Sequence, residues 1–259
     1  MEAETLLKGG DVAGARASLA SLLRREPGNP AARQFFWQLI ALHGEWEKAG
    51  TQLQALSTTE PKAMMMAGVY NQALAAMLVR DAVWAGRERP QSIVGTEPWV
   101  ENLLDALHAT CVQAADATAR MEAALDAAPA NSGSINGEAF GWVADADPRL
   151  GPMMEVIVGD QYGFLPFAAV KRVVAKGPED LRDLIWAQVD IELRSGQTSA
   201  AMLPVTYPGT GTSGDAALLL ARATRWHDVA GLEIGVGQHL LSTDGPEVGL
   251  LELRQLVID

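Results

Sequence analysis

A repeat constrains this chain more than any other feature. Gly10-Asp-Val-Ala-Gly-Ala15 returns as Gly44-Glu-Trp-Glu-Lys-Ala49, 34 residues later. Glu26-Pro27 returns as Glu60-Pro61, and Leu19 and Leu22 return as Leu53 and Leu56, at the same shift. A further 68 residues on, Ala117, Met121, Ala124 and Pro129 fall in the same register. The period between is degenerate, with Gly95 at the proline position and Pro90 interrupting. Self-similarity at such a spacing implies supersecondary units that bury their apolar faces by stacking. Ala15, Ala49 and Ala117 are small enough for two antiparallel helices to approach, and Leu19 and Leu53 fill the seam. The prolines end helices because their ring cannot continue the backbone ladder.

The period is that of a helix–turn–helix unit, and the pattern resembles the tetratricopeptide repeat. Helices are predicted at roughly 2–8, 11–25, 30–43, 45–57, 62–86, 98–110 and 112–127. Asn29-Pro30 and Glu97-Pro98 are helix starts, proline being tolerated in the first turn. Gly86–Glu97 is a connector and Ala128–Gly133 a linker. The predicted class is therefore α+β: a tetratricopeptide-like helical domain over 1–130, then a mainly antiparallel β-rich domain over 131–259 with one helix near 215–224.

The second half changes period. Asn136-Gly137 between Ile135 and Phe140 is a hairpin signal. Gly159-Asp160 turns between an apolar run Met153–Val158 and Tyr162–Phe167, which predicts another hairpin. Ala168–Ala175 reads as a strand, Pro178–Trp186 opens with a one-turn helix, and Trp186–Leu193 alternates. There Val189, Ile191 and Leu193 face one way, with Asp190, Glu192 and Arg194 opposite. Ser195-Gly196 turns into Ala200–Thr206. Further strand candidates are Trp226–Val229, Leu232–Val236, Gln238–Ser242 and Val248–Leu256.

Composition narrows the function. A net charge of −12 and a pI near 4.8 argue against nucleic acid or an anionic membrane as partner. The start Met-Glu-Ala-Glu has acids where a signal peptide needs positive charge. No apolar stretch reaches the roughly 18 residues of a membrane span. Cys111 is the single cysteine, read as a small buried residue in a reducing compartment. These features point to a cytoplasmic protein. The glycine-rich Tyr207–Gly214 loop lacks the Gly-Lys-Ser/Thr ending of a phosphate cradle, and Asp215 behind it suits a helix cap. His227 and His239 match no common zinc spacing, and no Gly-x-Ser-x-Gly is present. No cofactor and no catalytic set is expected.

Two groups of residues remain as candidates. Asp145, Asp147 and Arg149 precede Gly151-Pro152 and read as a structural corner, the acids accepting backbone N–H bonds and the arginine bridging carboxylates. The alternative is a metal-dependent hydrolase using Asp145, Asp147 and Glu155. Phe35, Phe36, Trp37 and Trp46 are candidate anchors for a partner, since consecutive aromatics on a helix cannot all face one way. Met64-Met65-Met66 with Met77 reads as core filling, with an adaptable groove as the alternative.

Several blocks resemble one family in order: Ile135-Asn-Gly, Trp142–Pro152, Glu179–Trp186, Tyr207-Pro-Gly209, the segment Asp215–Arg222, Thr224-Arg-Trp226 and Gly237-Gln238. They are similar to the ImpE/SciE proteins, also called TagJ, accessory components of bacterial type VI secretion systems. The resemblance implies a non-catalytic adaptor that binds the N-terminal helix of the small sheath subunit, of the TssB/VipA type. It implies a link to sheath assembly or to recycling driven by a ClpV-type ATPase. A helical-repeat chaperone for another partner is the remaining alternative; a repeat stack offers a groove where an amphipathic helix can lie.

Overall fold

In the computed structural model, which describes residues 1–95 and 97–259, the repeat period becomes a stack of helices. These are α1 (Glu2–Lys8), α2 (Val12–Arg25), α3 (Pro30–Leu42), α4 (Trp46–Thr59), α5 (Met64–Trp84), α6 (Pro98–Cys111) and α7 (Ala117–Ala127). Their starts are chemically marked. The Asp11 carboxylate accepts from Gly14 N at 2.8 Å, and the Asn29 side-chain oxygen accepts from Ala32 N at 3.0 Å with Pro30 as first helical residue. The register positions are core positions: Ala15, Leu19, Ala49, Leu53, Ala117 and Met121 are all buried. Each helix from α1 to α5 packs on the next, and α6 packs on α7. Of the connector Gly86–Glu97, residue 96 lies outside the described residues.

The chain then becomes antiparallel. Strands β1 (Gly133–Ile135), β2 (Glu138–Phe140), β3 (Val143–Asp145), β4 (Met153–Val158), β5 (Gln161–Pro166), β6 (Val170–Ala175), β7 (Trp186–Leu193) and β8 (Thr198–Pro204) follow. After a four-residue helix α8 (Ala216–Leu219) come β9 (Thr224–Val229), β10 (Leu232–Gly237), β11 (Leu240–Thr243), β12 (Val248–Gly249) and β13 (Gln255–Ile258). The large sheet runs β2-β1-β13-β6-β7-β8-β4-β5, with neighbouring strands antiparallel; β12-β11-β3 and β10-β9 form two smaller antiparallel sheets. Asn136 and Gly137 take φ of 51° and 91°, the left-handed pair that a two-residue hairpin turn requires.

The large sheet is covered on both faces at β4 and β5, which are almost entirely buried rather than alternating. Met153, Ile157, Tyr162, Phe164 and Trp186 join a core that continues into the helices. Met154, Val156, Leu165, Ala187, Val189 and Ile191 build a second core with Val143, Leu241, Val248 and Leu250. Two expectations change in detail. The helix expected over 215–224 is only the turn Ala216–Leu219, because Ala221 adopts φ 51° and turns the chain into β9. The strand expected over Val248–Leu256 is two strands, β12 and β13, in different sheets, separated by the buried turn at Leu250 and Leu253. Among the described residues no helix is long and apolar enough to cross a membrane.

Candidate functional site

Where the helices meet the sheet, the shared core contains charge. Glu155 sits in β4 between Met153 and Ile157, on the helix-facing side of the sheet. A carboxylate taken out of water needs partners. It has them from both halves of the chain. Arg80 of α5 donates from Nε and Nη2 to its two oxygens, each at 2.7 Å, and Nη2 also reaches the Thr206 carbonyl at 2.9 Å. Trp84, one helical turn further on, donates from Nε1 to Glu155 and to the Tyr162 oxygen, both at 2.9 Å. Tyr162 in turn donates to Glu155 at 2.5 Å.

On the other side of Glu155 lies His239, just before β11. Its Nδ1 is 2.7 Å from Asp145 Oδ2. Its Nε2 faces Glu155 Oε2 at 3.1 Å, a charge contact too far off axis to count as a hydrogen bond. Both ring nitrogens therefore face carboxylates. Burial pushes the ring toward its neutral form, but Asp145 and Glu155 outweigh it and raise the His239 pKa to about 9. Burial also opposes ionisation of Glu155, yet Arg80 wins and holds that carboxyl well below the ordinary carboxylate range. Tyr207 donates to Asp145 Oδ1 at 2.8 Å; burial and that carboxylate push its hydroxyl far above its usual pKa, so it remains a donor. Gly235 is fixed by this packing, since a Cβ there would lie 2.4 Å from the Tyr207 ring.

The polar corner completes the cluster. Asp145 accepts the Asp147 N–H at 2.8 Å, and Asp147 accepts the N–H groups of Arg149 and Gly235 at 3.0 and 2.9 Å. The Arg149 guanidinium forks onto Asp147 and lies 4.7 Å from the centre of the Trp84 ring. With His239 protonated, three cations (Arg80, Arg149, His239) balance three carboxylates (Asp145, Asp147, Glu155). Arg80, Asp145, Asp147, Glu155, Tyr207 and His239 are all buried. Such an arrangement holds elements together; it offers no exposed nucleophile or base. Among the described residues no group of three or more His, Cys, Asp or Glu could hold a metal ion, and Asp145, Asp147 and Glu155 are occupied by nitrogen and hydroxyl donors instead.

The sequence-predicted residues divide. Asp145, Asp147 and Arg149 come together in the corner. The aromatic candidates do not form an exposed surface. Trp37 is fully buried against Tyr70, ring centres 5.5 Å apart. Trp46 is buried near Trp186, with Nε1 donating to Asp81 at 2.8 Å. Phe35 and Phe36 are half-buried and packed against the core. The reason is tertiary: Tyr70 of α5 covers Trp37, Trp186 of β7 covers Trp46, and the 3-10 turn Leu181–Leu184 of the β-rich half packs on α3. Met64 and Met65, read as core filling, are exposed, while Met77 is core. Sequence reasoning missed Arg80, Trp84, Tyr162, Tyr207 and His239. The available signal was Glu155 itself, an acid inside the otherwise apolar run Met153–Val158.

Comparison with known proteins places this architecture. Residues 137–257 match the family model described as ImpE protein. Over 257 residues, 99% of this chain and 90% of the relative, the sequence is 38% identical to the type VI secretion system accessory component TagJ of Pseudomonas aeruginosa. The fold matches the crystal structure of protein VPA1032 from Vibrio parahaemolyticus with a TM-score of 0.90 over 100% of this chain and 98% of that one, at 20% identity. On the strength of the sequence match across nearly its whole length, the chain belongs to the ImpE (TagJ) family of type VI secretion system accessory proteins.

Proposed function

We propose that this protein is a non-catalytic, cytoplasmic adaptor of a type VI secretion system that captures a helix of a partner on its helical half. The partner in this reading is the N-terminal helix of the small sheath subunit, with a consequent role in sheath assembly or ATPase-driven recycling. The observation that carries it is the outer face of α5. From Met64 to Val79 the helix contains no charged residue. One side is core, yet Met64, Met65, Val69, Leu78 and Val79 are exposed, Met65 to 85%. Met65, Val69, Gln72 and Val79 follow one another at i, i+4, i+7 and i+14, the spacing of a face that receives another helix. Exposed apolar surface of this kind on a charged protein marks an interaction site.

Flexible methionines at one end suit an adaptable groove. The buried charge cluster supports an adaptor in another way, by fixing α5 to the sheet through Arg80 and Trp84 so that its outer face is rigid. The test is a binding titration of the full chain with a peptide from the N-terminus of the small sheath subunit. Wild type is expected to bind, and Met65→Lys and Val69→Glu to lose binding while unfolding normally. Unchanged affinity in both variants would move the site off α5. Absence of binding by the wild type would remove the sheath subunit as partner.

A further inference from the structure

A cleft of about 140 Å³ opens at the seam between the two halves, beside the charge cluster. Its walls include His43, Trp46, Arg80, Asp81, Tyr207 and Thr210. At about 30 Å³ of liquid volume per water, it accommodates a few waters or the head of one side chain.

Two polar groups of the lining are incompletely used. Arg80 is 4% exposed, and its Nε and Nη2 are spent on Glu155 and the Thr206 carbonyl. Its Nη1 has no hydrogen-bond acceptor among the described residues, yet it is not among the polar atoms sealed from solvent. The opening that Arg80 lines is this cleft. Asp81, the next residue, accepts from Trp46 Nε1 on Oδ2, while its Oδ1 has no donor among the described residues. The cleft therefore presents an unspent cationic donor and an unspent anionic acceptor.

That pair selects a chemistry. A carboxylate or phosphate satisfies Arg80 but meets Asp81, and Arg80 is already neutralised by Glu155. An ammonium group satisfies Asp81 but faces the Arg80 guanidinium. A neutral group carrying both a carbonyl and an N–H satisfies both without adding charge. We propose that the cleft binds an uncharged amide, with its carbonyl accepting from Arg80 Nη1 and its N–H donating to Asp81. The amide is either a side-chain carboxamide or a backbone peptide group of a bound chain. The proposal is independent of what binds the outer face of α5.

The indole N–H of Trp46, bonded to Asp81, is a built-in reporter. On the full-length protein, propionamide and N-acetylglycine N-methylamide are titrated while that resonance is followed by NMR. A saturable shift is expected with at least one amide. Acetate and methylammonium, each satisfying one group only, should bind about tenfold more weakly or worse, the loss of one hydrogen bond to a charged group. Asp81→Asn, which keeps a side-chain oxygen for the Trp46 N–H and sets an NH2 group where the amide N–H would donate, should weaken the amide by about the same factor. Tighter binding of propionamide assigns a side-chain carboxamide, and tighter binding of the dipeptide analogue assigns backbone. No saturable shift with either amide overturns the proposal. So does acetate or methylammonium binding as tightly, or an amide affinity indifferent to Asp81→Asn.

Discussion

The helical half and the β-rich half solve the burial problem in opposite ways. The helices stack around small and apolar register positions such as Ala15, Leu19, Ala49 and Leu53, and the buried charge they contribute among the described residues, Arg80, is spent on the sheet. The sheet buries Asp145, Asp147, Glu155 and His239, and completes their pairing only by borrowing Arg80 and Trp84 from α5. A repeat core tolerates local variation, because each unit needs only its neighbours. A buried charge cluster does not, because every member leaves another unpaired when removed. The junction is thus the most sequence-sensitive place in the molecule, and the stack the most forgiving.

The largest effect should come from cutting the cluster at its interhalf bond. Arg80→Met leaves Glu155 buried with neutral donors from Trp84 and Tyr162 and with His239 as its cationic neighbour, and should cost about 3–5 kcal/mol in urea unfolding. If the contrast between the halves is right, the double variant Arg80→Met with Glu155→Gln recovers part of that loss. Strict additivity of the two single changes would show that the pair is not coupled.

Next comes His239. Its pKa is about 9 in the fold against an ordinary value of 6.5, so the shift is upward and the protonated form is the stabilising one. That stabilisation is fully present below about pH 6.5 and is lost as pH rises through about 9, with a span on the order of 3 kcal/mol. The difference in stability between wild type and His239→Gln, measured from pH 6 to 10, should shrink steadily with pH. A difference that stays constant would mean the ring is neutral throughout.

Arg149→Ala should be milder, about 2–3 kcal/mol, since Asp147 keeps two backbone N–H donors when the guanidinium goes. Thermal unfolding measures it. Loss of partner binding at undiminished stability would instead give the corner a functional role.

The smallest change in stability belongs to the outer face of α5. Met65→Lys should alter it by no more than about 0.5 kcal/mol, as exposed sites do. Partner affinity should nevertheless fall about thirtyfold, the loss expected of an interface anchor worth about 2 kcal/mol. A large loss of stability would show that Met65 belongs to the core after all.

Much of the architecture was set by the amino-acid order alone. The 34-residue period, the caps at Asp11 and Asn29 and the turn at Asn136-Gly137 act over a few residues, so helices, hairpins and the change of period at about residue 130 were legible. The Asp147–Arg149 contact was legible for the same reason, its partners lying two residues apart. Other features had no local signal. Helix α5 carries apolar residues on all its sides, so nothing in its pattern says that Tyr70, Met77 and Arg80 face inward and Met65 and Val69 outward. Packing of α3 against Tyr70 of α5 and against Leu181–Leu184 likewise buried Trp37. Only the tertiary structure placed Glu155 between Arg80 and His239, residues 75 and 84 positions away in opposite directions along the chain. Spacing patterns encode which way neighbouring side chains point; which distant charge will neutralise a buried one is decided by the fold that brings them together.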